Sequence, residues 1–249
     1  MSEFNRGFSS APTVQADMAV DAGLRGFMLG VYNKVALGLV LSAALSFATT
    51  YVAPIRDLLY VVTPEGRLAG ITSLGMALRF APLLAIFVGM FALRNPSPRS
   101  AGIYYWTIVA LIGSGLGIWI LAYTGASVAT TFLITAAAFG ALSLAGYTTK
   151  KDLTGFGSFL MIGLIGIVLA SVVNIFLHSG PMNFIISVLG VFIFAGLIAW
   201  DTQRLKMTYY RLGGDQAALG VATNFGALSL YLNFINLFQF LMSIFGGRR

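Results

Sequence analysis

The sequence predicts an all-α polytopic membrane protein, a seven-helix bundle with the C-terminal helix central. Three observations carry this. The 249 residues are 58% hydrophobic and only 9% charged, with a mean hydropathy of +0.87. A soluble domain carries about 25% charged residues, so too little polar surface is present here to cover a water-soluble globule. Apolar runs also recur along the chain at close to the ~20 residues needed to cross a hydrocarbon core of ~30 Å. Finally, aromatic residues stand at the run ends (Tyr32, Tyr51, Tyr104, Tyr105, Trp106, Tyr123, Tyr147 and Trp200), the pattern of an interfacial belt.

Residues 1–33 read as a polar, mixed-charge leader, partly disordered, with weak amphipathic character from Val14 to Val31. They do not read as a signal peptide: the following apolar run exceeds the usual ~7–15-residue hydrophobic region, and the leader contains Glu3, Asp17 and Asp21. Residues 34–249 read as a single transmembrane domain. Its spans are Val35–Ala53, Ile71–Leu93, Ile103–Tyr123, Val128–Tyr147, Phe156–Leu177 and Phe184–Trp200, with a seventh within Ala217–Phe245. They are helices because a span must satisfy its own backbone groups where no water can. The last segment leaves two options open: it crosses fully, or it re-enters and returns Arg248 and Arg249 to the starting side.

Basic residues set the orientation. Arg6, Arg25, Lys34, Arg94, Arg99, Lys150, Lys151, Arg204, Lys206 and Arg211 fall on one side. The other side has Arg56 and Arg67, nothing at Thr124–Ser127, and His178 near Pro181. The N-terminus is therefore expected in the cytoplasm, in a bacterial-type inner membrane. The net charge of +7 is scattered over run ends and forms no basic stripe, so nucleic acid is not an expected partner. The absence of Cys excludes disulfides, thiolate metal sites and thiol catalysis.

Inside the bundle, Gly113 and Gly117 form a GxxxG pair suited to close helix packing. In the last segment Ala222, Gly226, Ser229, Asn233, Asn236 and Phe240 recur at spacings of three and four, which makes one small, polar helix face. A helix with that face belongs in the middle of a bundle, where its two Asn either bond neighbouring helices or line a pore. Arg79 interrupts the second run three residues before Pro82, and it either snorkels from a tilted helix or faces a wet cavity. Asp201 is the only carboxylate against an apolar run, directly after Trp200. An acid at mid-span costs roughly 2.5–3.5 kcal/mol on insertion scales, so such residues mark proton or ion pathways. Catalysis is not expected. An intramembrane aspartyl protease needs two facing acids and only Asp201 qualifies, while Ser114 has no base beyond the single His178.

The stretch Leu197-Ile198-Ala199-Trp200-Asp201-Thr202-Gln203, followed by Ala227-Leu228-Ser229-Leu230-Tyr231-Leu232-Asn233-Phe234-Ile235-Asn236-Leu237-Phe238, resembles the Bax inhibitor family, also called the transmembrane Bax-inhibitor-motif or YccA-like family. The resemblance covers essentially Val35 to Arg249 and is most specific from Ile193 onward. It implies a last helix wrapped by six others. It also implies a pH-sensitive calcium leak, calcium being the transported ion with no resident cofactor, controlled by two aspartates that share a proton. The first of these matches Asp201, a possible calcium ligand. The second matches Asn233, where this chain departs from the pattern. An arginine that latches the first aspartate matches Arg94. The expected gate and ion pathway is thus Asp201, Asn233, Arg94 and Asn236.

Exchanging a carboxylate for an amide removes the repulsion that makes two acids share a proton, and removes one negative ligand for a hard cation. Calcium conductance is then expected to be weaker, less pH-sensitive or absent. The alternative is a scaffold that modulates a membrane-bound protease or other partner without conducting ions.

Overall fold

The computed structural model describes residues 12–247, with side chains described from Ala22 onward. Among the described residues, the chain is helical apart from one hairpin and the short connections between helices. It runs α1 (Pro12–Tyr51), α2 (Ala53–Leu59), β1 (Tyr60–Val62), β2 (Leu68–Ile71), α3 (Ser73–Ala92), α4 (Pro98–Gly115), α5 (Gly117–Ala122), α6 (Gly125–Thr148), α7 (Thr154–Leu177), α8 (Gly180–Leu212) and α9 (Gln216–Phe245). Seven segments are long and apolar enough to cross a membrane, α4 and α5 together forming the third. The chain is an integral, multi-pass membrane protein.

The element ends follow local chemistry. Thr72, Ser97, Thr124, Ser179 and Asp215 cap α3, α4, α6, α8 and α9, each accepting a backbone N–H from the first turn. Between the first two spans the β-branched pair Val61-Val62 and a turn through Pro64 and Gly66 fold into an antiparallel hairpin. Gly66 adopts φ 76°, the left-handed conformation in which glycine bears no steric cost.

α9 is the centre. Its apolar window is 56% buried, against 11–33% for the other spans. α8, α1, α4 and α6 pack directly on it, while α3 packs on α4 and α7 packs on α8. The core therefore collects around α9, with Leu230, Tyr231, Phe234 and Met242 sealed against Val31, Tyr105, Ile108 and Val109. The GxxxG pair acts as expected: a side chain on Gly113 would strike the backbone of Ser42, and one on Gly117 would strike Thr49 and Thr50, so α4–α5 lies close on α1.

Three boundaries differ from the sequence expectation. The leader and the first span are one helix, and the split at residue 33 is not a structural one. Leu24, Phe27, Met28 and Val31 are buried in the main core, because α1 continues beyond the apolar run and packs beside Leu205, Tyr209 and Leu219. Residues 1–11 of the expected leader lie outside the described residues, as do Arg248 and Arg249. α8 does not stop at Trp200; with no Gly or Pro before Gly213, it continues to Leu212 and closes on Gly213 at φ 56°. α9 is a single continuous helix of 30 residues, long and apolar enough to cross fully and with no turn back. Its far end is tied to the start of α6, where Thr124 N–H donates to the Gly247 carbonyl at 3.0 Å and Gly247 N–H donates to Ser127 Oγ at 3.0 Å.

Candidate functional site

α8 and α9 run antiparallel, and this register brings Asp201 level with Ser229 and Asn233. The approach is close because Gly226 of α9 admits the Leu205 side chain and Gly190 of α8 admits the Phe240 ring. Gln203, on the opposite face of α8 from Asp201, pins the α6–α7 loop: its amide oxygen accepts from Leu153 N–H and its amide nitrogen donates to the Lys151 carbonyl, each at 2.8 Å. Asp201 thus sits level with a loop between spans yet points into the bundle, and it is only 3% exposed.

Its two oxygens are treated differently. Oδ2 accepts from the Ser229 hydroxyl at 2.5 Å and from the Asn233 amide at 2.7 Å. Oδ1 faces Arg204 Nη2 at 2.7 Å, an ion pair one helical turn along α8. No aligned hydrogen bond completes Oδ1, so it keeps lone pairs turned inward. The Arg204 side chain is 49% exposed and lies over the Trp200 ring at 4.7 Å, with Nη2 3.5 Å from Ser229 Oγ. The site therefore holds one buried negative charge, one neighbouring positive charge that reaches water, and two neutral groups on the carboxylate.

Of the residues expected to act together, Asp201 and Asn233 meet directly. Asn236 does not reach the carboxylate; its amide donates to the Leu232 carbonyl at 2.8 Å and its side chain borders the same cavity. Arg94 is a correction. It stands exposed in a bend beyond α3, which packs on α4, and among the described residues it forms no ion pair. The ion pair with Asp201 that the resemblance assigned to Arg94 is made by Arg204. It is fixed one turn from Asp201 on the same helix, so the pairing needs no contact between distant elements. Arg204 and Ser229 are the residues whose roles sequence reasoning missed. Had α8 been continued past Trp200, the three-residue spacing of Asp201 and Arg204 would have marked the pair.

A cavity of about 590 Å³ opens beside the carboxylate, between α7 and the polar face of α9; Ser171, Asp201, Arg204, Ser229, Asn233 and Asn236 supply its polar lining. On the other flank of α9 a second cavity, about 470 Å³, lies against α3, α4 and α5. Leu232 and Asn236 border both. Among the described residues no cluster of three His, Cys, Asp or Glu side chains occurs. A hard cation beside Asp201 would find one carboxylate, plus amide and hydroxyl oxygens from Asn233, Asn236 and Ser229. This is a sparse donor set compared with the 6–8 oxygens of a retaining calcium site.

Residues 24–249 match the family described as inhibitor of apoptosis-promoting Bax1. The chain is 66% identical to an uncharacterized protein of Caulobacter vibrioides over 250 residues, covering 100% of both chains. It is 40% identical to an uncharacterized protein of Rickettsia prowazekii, covering 95% of this chain and 96% of that one. It is also 40% identical to the inner membrane protein YbhL of Escherichia coli, covering 92% of this chain and 94% of the relative.

Proposed function

The chain belongs to the family of inhibitors of apoptosis-promoting Bax1, and from that premise we propose that it is a gated calcium leak whose state is set by the charge of Asp201. The single observation that carries this reading is the divided coordination of a buried carboxylate beside a cavity: Arg204 at 2.7 Å on one oxygen, Ser229 and Asn233 on the other. An inner-membrane location is part of the proposal, in line with the name of the Escherichia coli relative. So is a cytoplasmic N-terminus, supported by the basic residues that flank the Asp201 end.

In the shut state the ionised carboxylate ties α8 to α9 through Ser229 and Asn233 and keeps Arg204 across the mouth of the cavity. Protonation removes the charge that holds Arg204, and the guanidinium, already half in water, turns outward. Asn233 suits both states, since an amide donates to a carboxylate through its nitrogen and accepts from a carboxylic acid through its oxygen. A calcium ion as substrate then passes along Asn233 and Asn236 toward the second cavity, sampling weak oxygen sites one after another; conduction needs sites weak enough to leave. A single carboxylate favours transit over retention, and it lacks the shared proton of an acid pair.

The test is calcium flux by the purified chain in liposomes from pH 5 to 8. Flux is expected to rise as pH falls and to lose its pH dependence in Asp201→Ala. Asn233→Asp is expected to steepen the pH dependence, because a second carboxylate within hydrogen-bond distance of the first adds repulsion that a proton relieves. Well-folded wild-type and variant proteins that all fail to pass calcium would overturn the leak reading and leave the partner-binding scaffold, with a membrane-bound protease among its candidate partners.

A further inference from the structure

Arg79 lies six residues into α3, about 9 Å along the helix from its capped start, at the membrane face opposite Asp201. It is exposed, and among the described residues it forms no ion pair; the Tyr60 phenol senses its charge. A cation at this depth is costly in hydrocarbon unless an oxyanion or water meets it. The side chain borders the cavity of about 470 Å³ on the α3 flank of α9. The walls of that cavity are apolar, with Pro82, Ile86 and Trp119 among them; Asn236 and Gln239 form its polar floor, and none of its described lining residues is acidic.

The hairpin closes the end of the cavity near Arg79. Leu68 of β2 lines it, and Tyr60 of β1 packs with Leu78 and Ile118, which line it too. The Tyr60 hydroxyl lies 3.5 Å from both the Ser114 and Gly115 carbonyls, with Thr49 and the Ile118 backbone as further hydrogen-bonding neighbours. Burial keeps that phenol protonated and able to donate, outweighing the neighbouring Arg79 charge, which favours the ionised form. Side chains on a helix lean toward its N-terminus, so the guanidinium is directed toward the head-group layer while the apolar cavity extends below it.

We propose that this cavity is a binding site for one anionic phospholipid, with its phosphate on Arg79 beneath the β1–β2 hairpin and an acyl chain along the groove between α3 and α4–α5. The charge complementarity is specific: the site supplies a forked cation with free donors, matched to phosphate geometry, and offers no competing carboxylate. The anchoring cation, Arg79, is not among the groups around Asp201, although Leu232 and Asn236 border both cavities, so a bound lipid would occupy the far end of the proposed calcium route.

Trp119 lines the cavity and serves as the reporter. The full chain in non-ionic detergent would be titrated with phosphatidylglycerol brominated on its acyl chains, and with diacylglycerol carrying the same chains. Quenching that is lost in Trp119→Phe isolates the site. Saturable quenching by phosphatidylglycerol is expected at about tenfold lower lipid than by diacylglycerol, as one charge-assisted contact supplies. Arg79→Gln should remove that preference, and Arg79→Lys, which keeps the charge, should retain part of it. Equal quenching by the two lipids, or an Arg79→Gln curve that overlays wild type, overturns the proposal. Displacement by millimolar inorganic phosphate would also overturn it, by assigning the cation to a free anion.

Discussion

At the scale of single residues, the carboxylate of Asp201 is divided between an ion pair and a pair of neutral donors. Arg204→Gln leaves the buried Oδ1 without its cation, and a loss of about 1–3 kcal/mol is expected, visible as a lower midpoint in thermal unfolding at neutral pH. A midpoint equal to that of the wild type would refute the pairing. Asp201 and Asn233 were legible in the sequence because the acid broke an apolar run and the polar face of the last helix repeated every three or four residues; Ser229 stood on that face, but its bond to the carboxylate was not foreseen. Arg204 was hidden by ending the helix where hydropathy fell. A span ends at the membrane, but a helix ends where backbone chemistry stops it, and here that is Gly213. The match of Arg94 to a latch rested on resemblance of position, and α3 holds it away from Asp201.

The elements show which parts of the pattern were legible. Run length and end aromatics located all seven spans, and the small-residue face marked α9 as central. The α1 boundary was missed because residues before Val35 look polar, although Leu24, Phe27, Met28 and Val31 repeat at helical spacing and are buried. The short hairpin went unread because three- and four-residue strands give no periodicity to detect. Close backbone approach holds α8 in register. Gly146 of α6 faces the Ala199 backbone, two residues before Asp201, with no room for a side chain. Gly146→Leu is therefore expected to destabilise by about 1–3 kcal/mol through overpacking. It should also alter the pH dependence of flux, because it displaces the helix that carries the carboxylate. Wild-type stability in this variant would show that the contact is not needed.

For the whole molecule, seven spans and the tie between Thr124 and Gly247 put the two ends of the domain on opposite faces. The natural absence of Cys makes this directly testable. In intact cells, Ala126→Cys is expected to react with a membrane-impermeant maleimide, and Asp152→Cys only after the membrane is opened; the reverse pattern would invert the topology. α9 is the axis on which both cavities and both proposals converge, since one cavity lies beside Asp201 and the other beside Arg79, with Leu232 and Asn236 bordering both. The most direct test of the gate compares resting calcium flux in liposomes at pH 7–8 for Arg204→Gln and Arg94→Gln. This account expects several-fold higher flux from Arg204→Gln and wild-type flux from Arg94→Gln. An Arg204→Gln protein that stays shut while Arg94→Gln leaks would contradict it.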